Sequence, residues 1–136
     1  MACVLASAHL ADEEFLAAFH SCELKNSEFR NADHFRLAWL HVHREPVETA
    51  VANVCSGIQT FAAHYGGPEK YHSTITMAWV RLVATHREAS FEEFLHANGH
   101  RLNGDLLHRF WSPGLLASAR ARSTWVAPDL RELPNT

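Results

Sequence analysis

The sequence predicts an all-α fold, a single helical bundle over residues 1–136, and three observations carry that reading. Apolar residues recur at helical spacing through most of the 136-residue chain. The helix breakers are few and sit between those stretches, as Glu45-Pro46, Gly66-Gly67-Pro68 and Asn98-Gly99. Composition is that of a packed domain, with 47% hydrophobic and 20% charged residues, and a chain this long builds one core of ordinary size.

Asp12 stands as N-cap of a first helix reaching about Cys22, with Phe15, Leu16 and Phe19 on one side. Lys25-Asn26-Ser27 is then a turn. A second helix runs from Asn31 to Arg44 and stops before Pro46, because the residue preceding a proline is pushed out of the helical region. At about 100° per residue, Asn31, Phe35, Ala38 and Val42 share a narrow sector, with His34 and His41 at its edge and the small Ala38 inviting a neighbouring helix.

The third helix starts at Pro46, where the missing N–H costs nothing, and continues to Tyr65 before Gly66-Gly67. Val47, Val51, Val54, Ile58, Phe61 and Tyr65 form its apolar stripe. A fourth helix covers Tyr71 to Arg87, with Tyr71, Ile75, Trp79, Leu82 and His86 on one face. Thr74-Ile75-Thr76 has strand propensity, which the longer helical period outweighs. Ser90-Phe91-Glu92-Glu93 is a capping box that opens a short helix to Asn98-Gly99. Asp105–Phe110 adds a turn or two, and Ser112-Pro113 has the form of another helix start. The tail from Trp125, with Pro128 and Pro134, reads as an extended strap anchored by Trp125.

Charge narrows the function classes. The net charge is −3 and the basic residues are scattered, which argues against nucleic acid as a partner. No apolar run approaches the roughly 18 residues of a membrane span, and Met1–Leu10 lacks a basic leader before Asp12-Glu13-Glu14. Cys3, Cys22 and Cys55 form neither a C-x-x-C pair nor a disulfide scaffold. These features predict a cytoplasmic protein, and they leave its oligomeric state open.

Eleven histidines are the anomaly. Half-protonation of all of them near a pKa of about 6.5 would carry the net charge from −3 to roughly +2.5. Helical placement removes most from contention. His41 and His43 are two apart and diverge, and His96 and His100 are separated by the Asn98-Gly99 break. His9, His64 and His108 fall at helix ends or polar faces; His20, His41 and His86 stay in view as supporting residues.

Two blocks remain. Asn31 and His34 are one turn apart near a helix start, so an imidazole able to move a proton and an amide able to hold a carbonyl or carboxylate face one cavity. Asn31 as a plain helix cap and His34 as a packed edge residue is the competing interpretation. In Lys70-Tyr71-His72-Ser73-Thr74-Ile75-Thr76, His72 shares a face with Trp79, flanked by Tyr71 and Thr76. A hydrogen-bonded core histidine is the alternative there. Glu28, and less so Glu23, flank the turn before His34 as a base or as solvated turn residues.

These blocks, with Glu14-Phe15-Leu16, Leu37-Ala38-Trp39-Leu40, Phe91-Glu92-Glu93-Phe94 and Trp125-Val126-Ala127-Pro128-Asp129-Leu130, resemble a small, largely uncharacterised all-helical bacterial family. The resemblance spans nearly the whole chain and implies one compact domain. Members commonly carry H-x-x-H where this sequence has Asn31-Ala32-Asp33-His34. The family pattern implies a three-histidine metal site completed by the position of His72, and an amide at position 31 weakens it. In chemical requirements alone, the set is also similar to small Pictet-Spenglerases of natural-product pathways: an aromatic pocket, a cation or amide for carboxylates, and an acid–base residue. Trp39, Trp79, Tyr71, Asn31, Arg30 and His34 would supply those parts.

The leading expectation is a small-molecule enzyme of the acid–base lyase or cyclase class with no metal or other cofactor. His34 and His72 would transfer protons with Glu28 as auxiliary base, and Asn31, Arg30, Trp39, Tyr71, Thr76 and Trp79 would bind substrate. The rivals are a mononuclear metalloenzyme using His34 and His72, and a non-catalytic ligand-binding or interaction domain.

Overall fold

A computed structural model describes residues 5–134. Among the described residues there are eight α-helices and no strand. In chain order they are α1 (Asp12–His20), α2 (Asn31–Val42), α3 (Val47–His64), α4 (Ser73–Val83), α5 (Phe91–Asn98), α6 (Gly104–Leu107), α7 (Pro113–Leu116) and α8 (Ala119–Ser123). Short 3₁₀ turns occupy Asn26–Glu28, Pro68–Lys70 and Gly99–Arg101. The all-α prediction holds, and the prolines and glycines act as punctuation. Cys3 lies outside the described residues.

Several boundaries differ from the sequence reading for local reasons. Ala11, not Asp12, is the N-cap of α1, and the Glu14 carboxylate accepts the Ala11 N–H. Pro46 caps α3 from outside, and that helix ends in a turn where Gly66 takes φ 76° while the Gly67 N–H bonds back to the Ala62 carbonyl. Helix α4 is shorter at both ends, because His72 is its N-cap and Ala84 closes it. The Ser90 hydroxyl accepts the Glu93 N–H as the expected cap, while the Glu93 carboxylate reaches back to the Ala89 N–H, one residue short of the Ser90 N–H that a capping box uses. Helix α8 was not anticipated; Ser118 starts it by accepting the Ala121 N–H.

Helix α2 departs most from expectation. Its residues Ala32, Asp33, Phe35, Arg36, Leu37, Ala38, Trp39 and Leu40 are all buried, so it is a central helix wrapped on nearly every side. Two charges inside that wrapping are fully partnered. The Asp33 carboxylate accepts from the Ser7 N–H, the Ser7 hydroxyl, the Ala6 N–H and the Arg30 N–H. Arg36 donates to the Ser7 and Leu10 carbonyls and to Asp12, and stacks over the Phe15 ring. These bonds fasten the N-terminal arm across α2, and they satisfy charges that would be costly if buried alone.

Helix α4 packs against both α2 and α3 on one side. Ala78 and Leu82 on its other side join Leu107, Trp111, Leu116, Ala121 and Val126 in a second apolar cluster. The tail is an extended strap as predicted, though its buried anchor is Trp111, whose indole N–H donates to the Val126 carbonyl; Trp125 is half-buried and packs edge-on against it. Thr74 ties the strap to α4, donating to the Thr124 carbonyl and accepting the Val126 N–H. The strand-like Thr-Ile-Thr triplet thus serves a helix-to-strap junction.

Candidate functional site

Where α2, α3 and α4 meet, they leave a cavity of about 330 Å³. Phe35, Ala38, Val54, Ile58, Val80 and Trp79 make its apolar walls, and the Trp79 indole stands edge-on to Phe35 at 4.8 Å. Asn31, His34, Tyr71, His72, Thr76, Lys70 and Arg122 supply its polar atoms. The two sequence blocks therefore do converge, which periodicity within each helix could not establish. A second cavity of about 200 Å³ adjoins it and shares the walls His34, Ile58, Lys70 and Tyr71.

His34 is the exceptional member. Its ring lies 4.0 Å from the Phe29 ring, and among the described residues no partner bonds either ring nitrogen. Burial lowers its pKa from 6.5 to about 4, against a smaller opposing pull from the Asp33 carboxylate. The imidazole is consequently neutral at pH 7, with one donor and one lone pair offered to the cavity.

His72 reaches the same cavity in a different condition. Its Nε2–H donates to the Leu116 carbonyl at 2.8 Å, and its Nδ1 accepts the Ile75 N–H at 3.1 Å. Both nitrogens are committed to the backbone, so His72 has no lone pair for a proton or a metal while these bonds last. The sequence reading of His72 as a proton-transfer partner gives way here to a positioning role: it starts α4 and fastens it to α7.

Three other expected residues lie away from the cavity. Glu28 pairs with His9 at 2.8 Å and accepts the Lys25 N–H, so it closes a turn rather than assisting His34. Arg30 is exposed at the start of α2 and is absent from the lining. Trp39 points to the opposite side of α2, packing on His43, Phe91 and Phe94. By contrast Asn31, Tyr71, Thr76 and Trp79 all line the cavity.

Burial pushes the Tyr71 phenol up to about 12 and the neighbouring Cys55 thiol above its ordinary value. Tyr71 is therefore a neutral hydroxyl in this wall, and Cys55 is not an activated nucleophile. Two cations were overlooked. Lys70 opens the Lys70–Thr76 block beside His72, and Arg122 comes from α8, some fifty residues away, where no local pattern connects it to α4. Arg122 spends Nη1 on the Glu69 and Tyr71 carbonyls, and its other N–H groups have no partner among the described residues.

A wider cleft of about 950 Å³ separates the N-terminal arm from α5. Its Asp12 and Arg36 already bond each other and hold the arm, while Glu92, His96 and His100 are exposed. Its buried cation, Arg36, is already spent on the arm and on Asp12, so the smaller cavity is the stronger candidate. Among the described residues no helix is long and apolar enough to cross a membrane. No protein family, curated protein or solved structure matches the chain.

Proposed function

We propose that the cavity between α2, α3 and α4 binds a small molecule with an apolar, preferably aromatic, body and an anionic group, and that His34 handles a proton on that molecule. The observation that carries this reading is an imidazole with no hydrogen-bond partner among the described residues, in an apolar wall that also contains Lys70 and Arg122, where burial favours its neutral form. Phe35, Trp79, Val54 and Ile58 suit a flat apolar body, Asn31 and Thr76 suit its polar edge, and the two cations suit a carboxylate.

An anion bound near His34 favours the imidazolium and so raises a pKa that burial has lowered. Binding then takes up a proton, and His34 becomes a donor in the complex after being an acceptor in the free protein. That sequence suits an acid–base lyase or cyclase step, of which cyclisation of an indole amino acid with an aldehyde is one instance. Such a step needs no group outside the cavity wall, whereas the metalloenzyme alternative needs a lone pair that His72 has given to the backbone.

A second reading, a ligand-binding domain without turnover, draws support from the isolation of His34: Glu28 is turned away and among the described residues no carboxylate bonds the ring. Calorimetry with indole-3-acetate, tryptophan and tryptamine tests the site. The carboxylates should bind, tryptamine should bind at least tenfold more weakly, and Arg122→Ala or Lys70→Ala should abolish the difference. Carboxylate binding indifferent to both variants would refute the site. Incubation of tryptophan with aldehydes, followed by mass spectrometry, separates the readings: product that disappears in His34→Ala supports the enzyme, and binding without product supports the binding domain.

A further inference from the structure

Apart from this cavity, α1 and α2 bring two histidines head to head. His20 Nε2 lies 3.1 Å from His41 Nε2, with the ring planes nearly perpendicular and centroids 5.3 Å apart. His41 Nδ1 bonds the Glu45 carboxylate one turn along, and the other Glu45 oxygen accepts the Asn53 amide at 2.5 Å. The pair opens onto a cavity of about 370 Å³ whose remaining walls are Asn53, Ser56, Gly57 and Thr60 from α3.

We propose that His20 and His41 form a binding site for a divalent first-row transition ion such as Zn²⁺ or Cu²⁺. A carboxylate only accepts, so Glu45 fixes the His41 proton on Nδ1 and leaves the Nε2 lone pair directed at His20. This is the tautomer of a metal-ligating histidine, and the histidine–carboxylate couple is the usual outer support of such a ligand. The contact between the rings is now a single proton on His20 Nε2, and a cation replaces it once His20 carries its proton on Nδ1 instead.

The distance suits an ion. Two nitrogens 3.1 Å apart, each at roughly 2.05 Å from a metal, subtend about 98°, and each ring turns about 41° from the line joining the nitrogens to face the ion. That angle lies between octahedral and tetrahedral values. Both ligands come from helices held by the same core, and Gly57 is what lets them sit there: a Cβ at this position would meet Phe19 Cε2 at 2.8 Å and the His20 ring at 3.1 Å. Among the described residues no third His, Cys, Asp or Glu completes the set. The remaining positions therefore belong to water or an exogenous ligand, as in sites that keep exchangeable positions.

Protein without a histidine tag, titrated with Zn²⁺ and with Cu²⁺ in a calorimeter, tests the assignment. One equivalent should bind, Cu²⁺ more tightly than Zn²⁺, with at least tenfold loss in His20→Ala and in His41→Gln. Glu45→Gln should weaken binding by about 10-fold or more through loss of the outer support. Cu²⁺ should broaden the NMR resonances of residues around positions 20 and 41 in the unaltered protein, a readout that does not depend on any variant folding. Binding that survives both histidine variants, broadening centred on other histidines, or no binding at millimolar ion would overturn the proposal and leave a histidine pair that only shares a proton.

Discussion

His34 should make the protein lose stability in mild acid, by an amount that follows from its position. Its pKa falls from 6.5 in a solvated chain to about 4 in the fold, chiefly because burial penalises the imidazolium. A group whose folded pKa is depressed leaves stability untouched above the unfolded value and erodes it as pH falls toward the folded one. Between pH 6.5 and 4 the unfolded chain binds a proton that the fold refuses. Linkage over that window gives a loss of about 2 kcal/mol between pH 7 and pH 5, and about 3 kcal/mol once pH is below 4. The half-buried ring keeps some contact with solvent through the cavity, so these are upper figures. Urea unfolding of the native protein and of His34→Gln at pH 7 and pH 5 isolates the effect. The two should have similar stability at pH 7, and the variant should lose about 2 kcal/mol less on acidification. An NMR titration of the His34 Cε1–H should show no protonation above pH 5. Equal acid sensitivity of the two proteins, or a His34 midpoint above pH 6, would refute the neutral cavity imidazole and with it the proton uptake on ligand binding.

Other substitutions test the roles assigned to the remaining polar groups. His72→Ala removes two hydrogen bonds at once and strands the Ile75 N–H and the Leu116 carbonyl; a loss of about 2–4 kcal/mol is expected in urea unfolding. His72→Asn should recover part of it by restoring the cap, and a cost for His72→Ala near zero would return His72 to the list of free acid–base groups. Asp33→Ala should cost about 2–4 kcal/mol, because it strands the buried Ser7 N–H and hydroxyl together with the Ala6 and Arg30 N–H groups; hydrogen exchange at residues 6 and 7 should accelerate at the same time, and protection retained there would show that the arm is held by other means. Gly57→Ala should cost about 1–3 kcal/mol in thermal unfolding, since its Cβ meets the Phe19 and His20 rings.

Where a feature depended on one stretch of chain, it could be read from the sequence. Pro46, Gly66 and the Ser90 cap act through their own backbone geometry, so the helix breaks were legible. For helix α2 the sequence reading extends only to the apolar sector around Ala38, whereas the structure buries its polar positions too. Asp33 and Arg36 are buried only because Ser7, Leu10 and Asp12 arrive from 24 to 29 residues away to satisfy them, and no periodicity within α2 encodes that arrival. The same limit hid α8, whose Arg122 enters the cavity only after the strap has folded back over α4.

The histidines show what a count of residue type omits. Sequence spacing treats His34, His41 and His72 as equivalent imidazoles, whereas their chemistry is decided by what occupies the second nitrogen. In His72 both nitrogens serve the backbone, which makes the ring a structural fastener. In His41 a carboxylate takes one nitrogen and thereby presents the other to His20, which suits a cation. In His34 neither nitrogen is taken by any described residue and the surroundings are largely apolar, which suits a proton delivered or removed by a bound molecule. Each of those second partners comes from a different distance along the chain: a helix cap three residues on, a carboxylate four residues on, and, for His34, none. Only the four-residue pair was open to inspection in the sequence, as His41 with Glu45, and there the decisive neighbour, His20, lay on another helix. A metal-directed search by spacing alone would thus have joined the H-x-x-H position to His72 and passed over the imidazole pair that meets between α1 and α2.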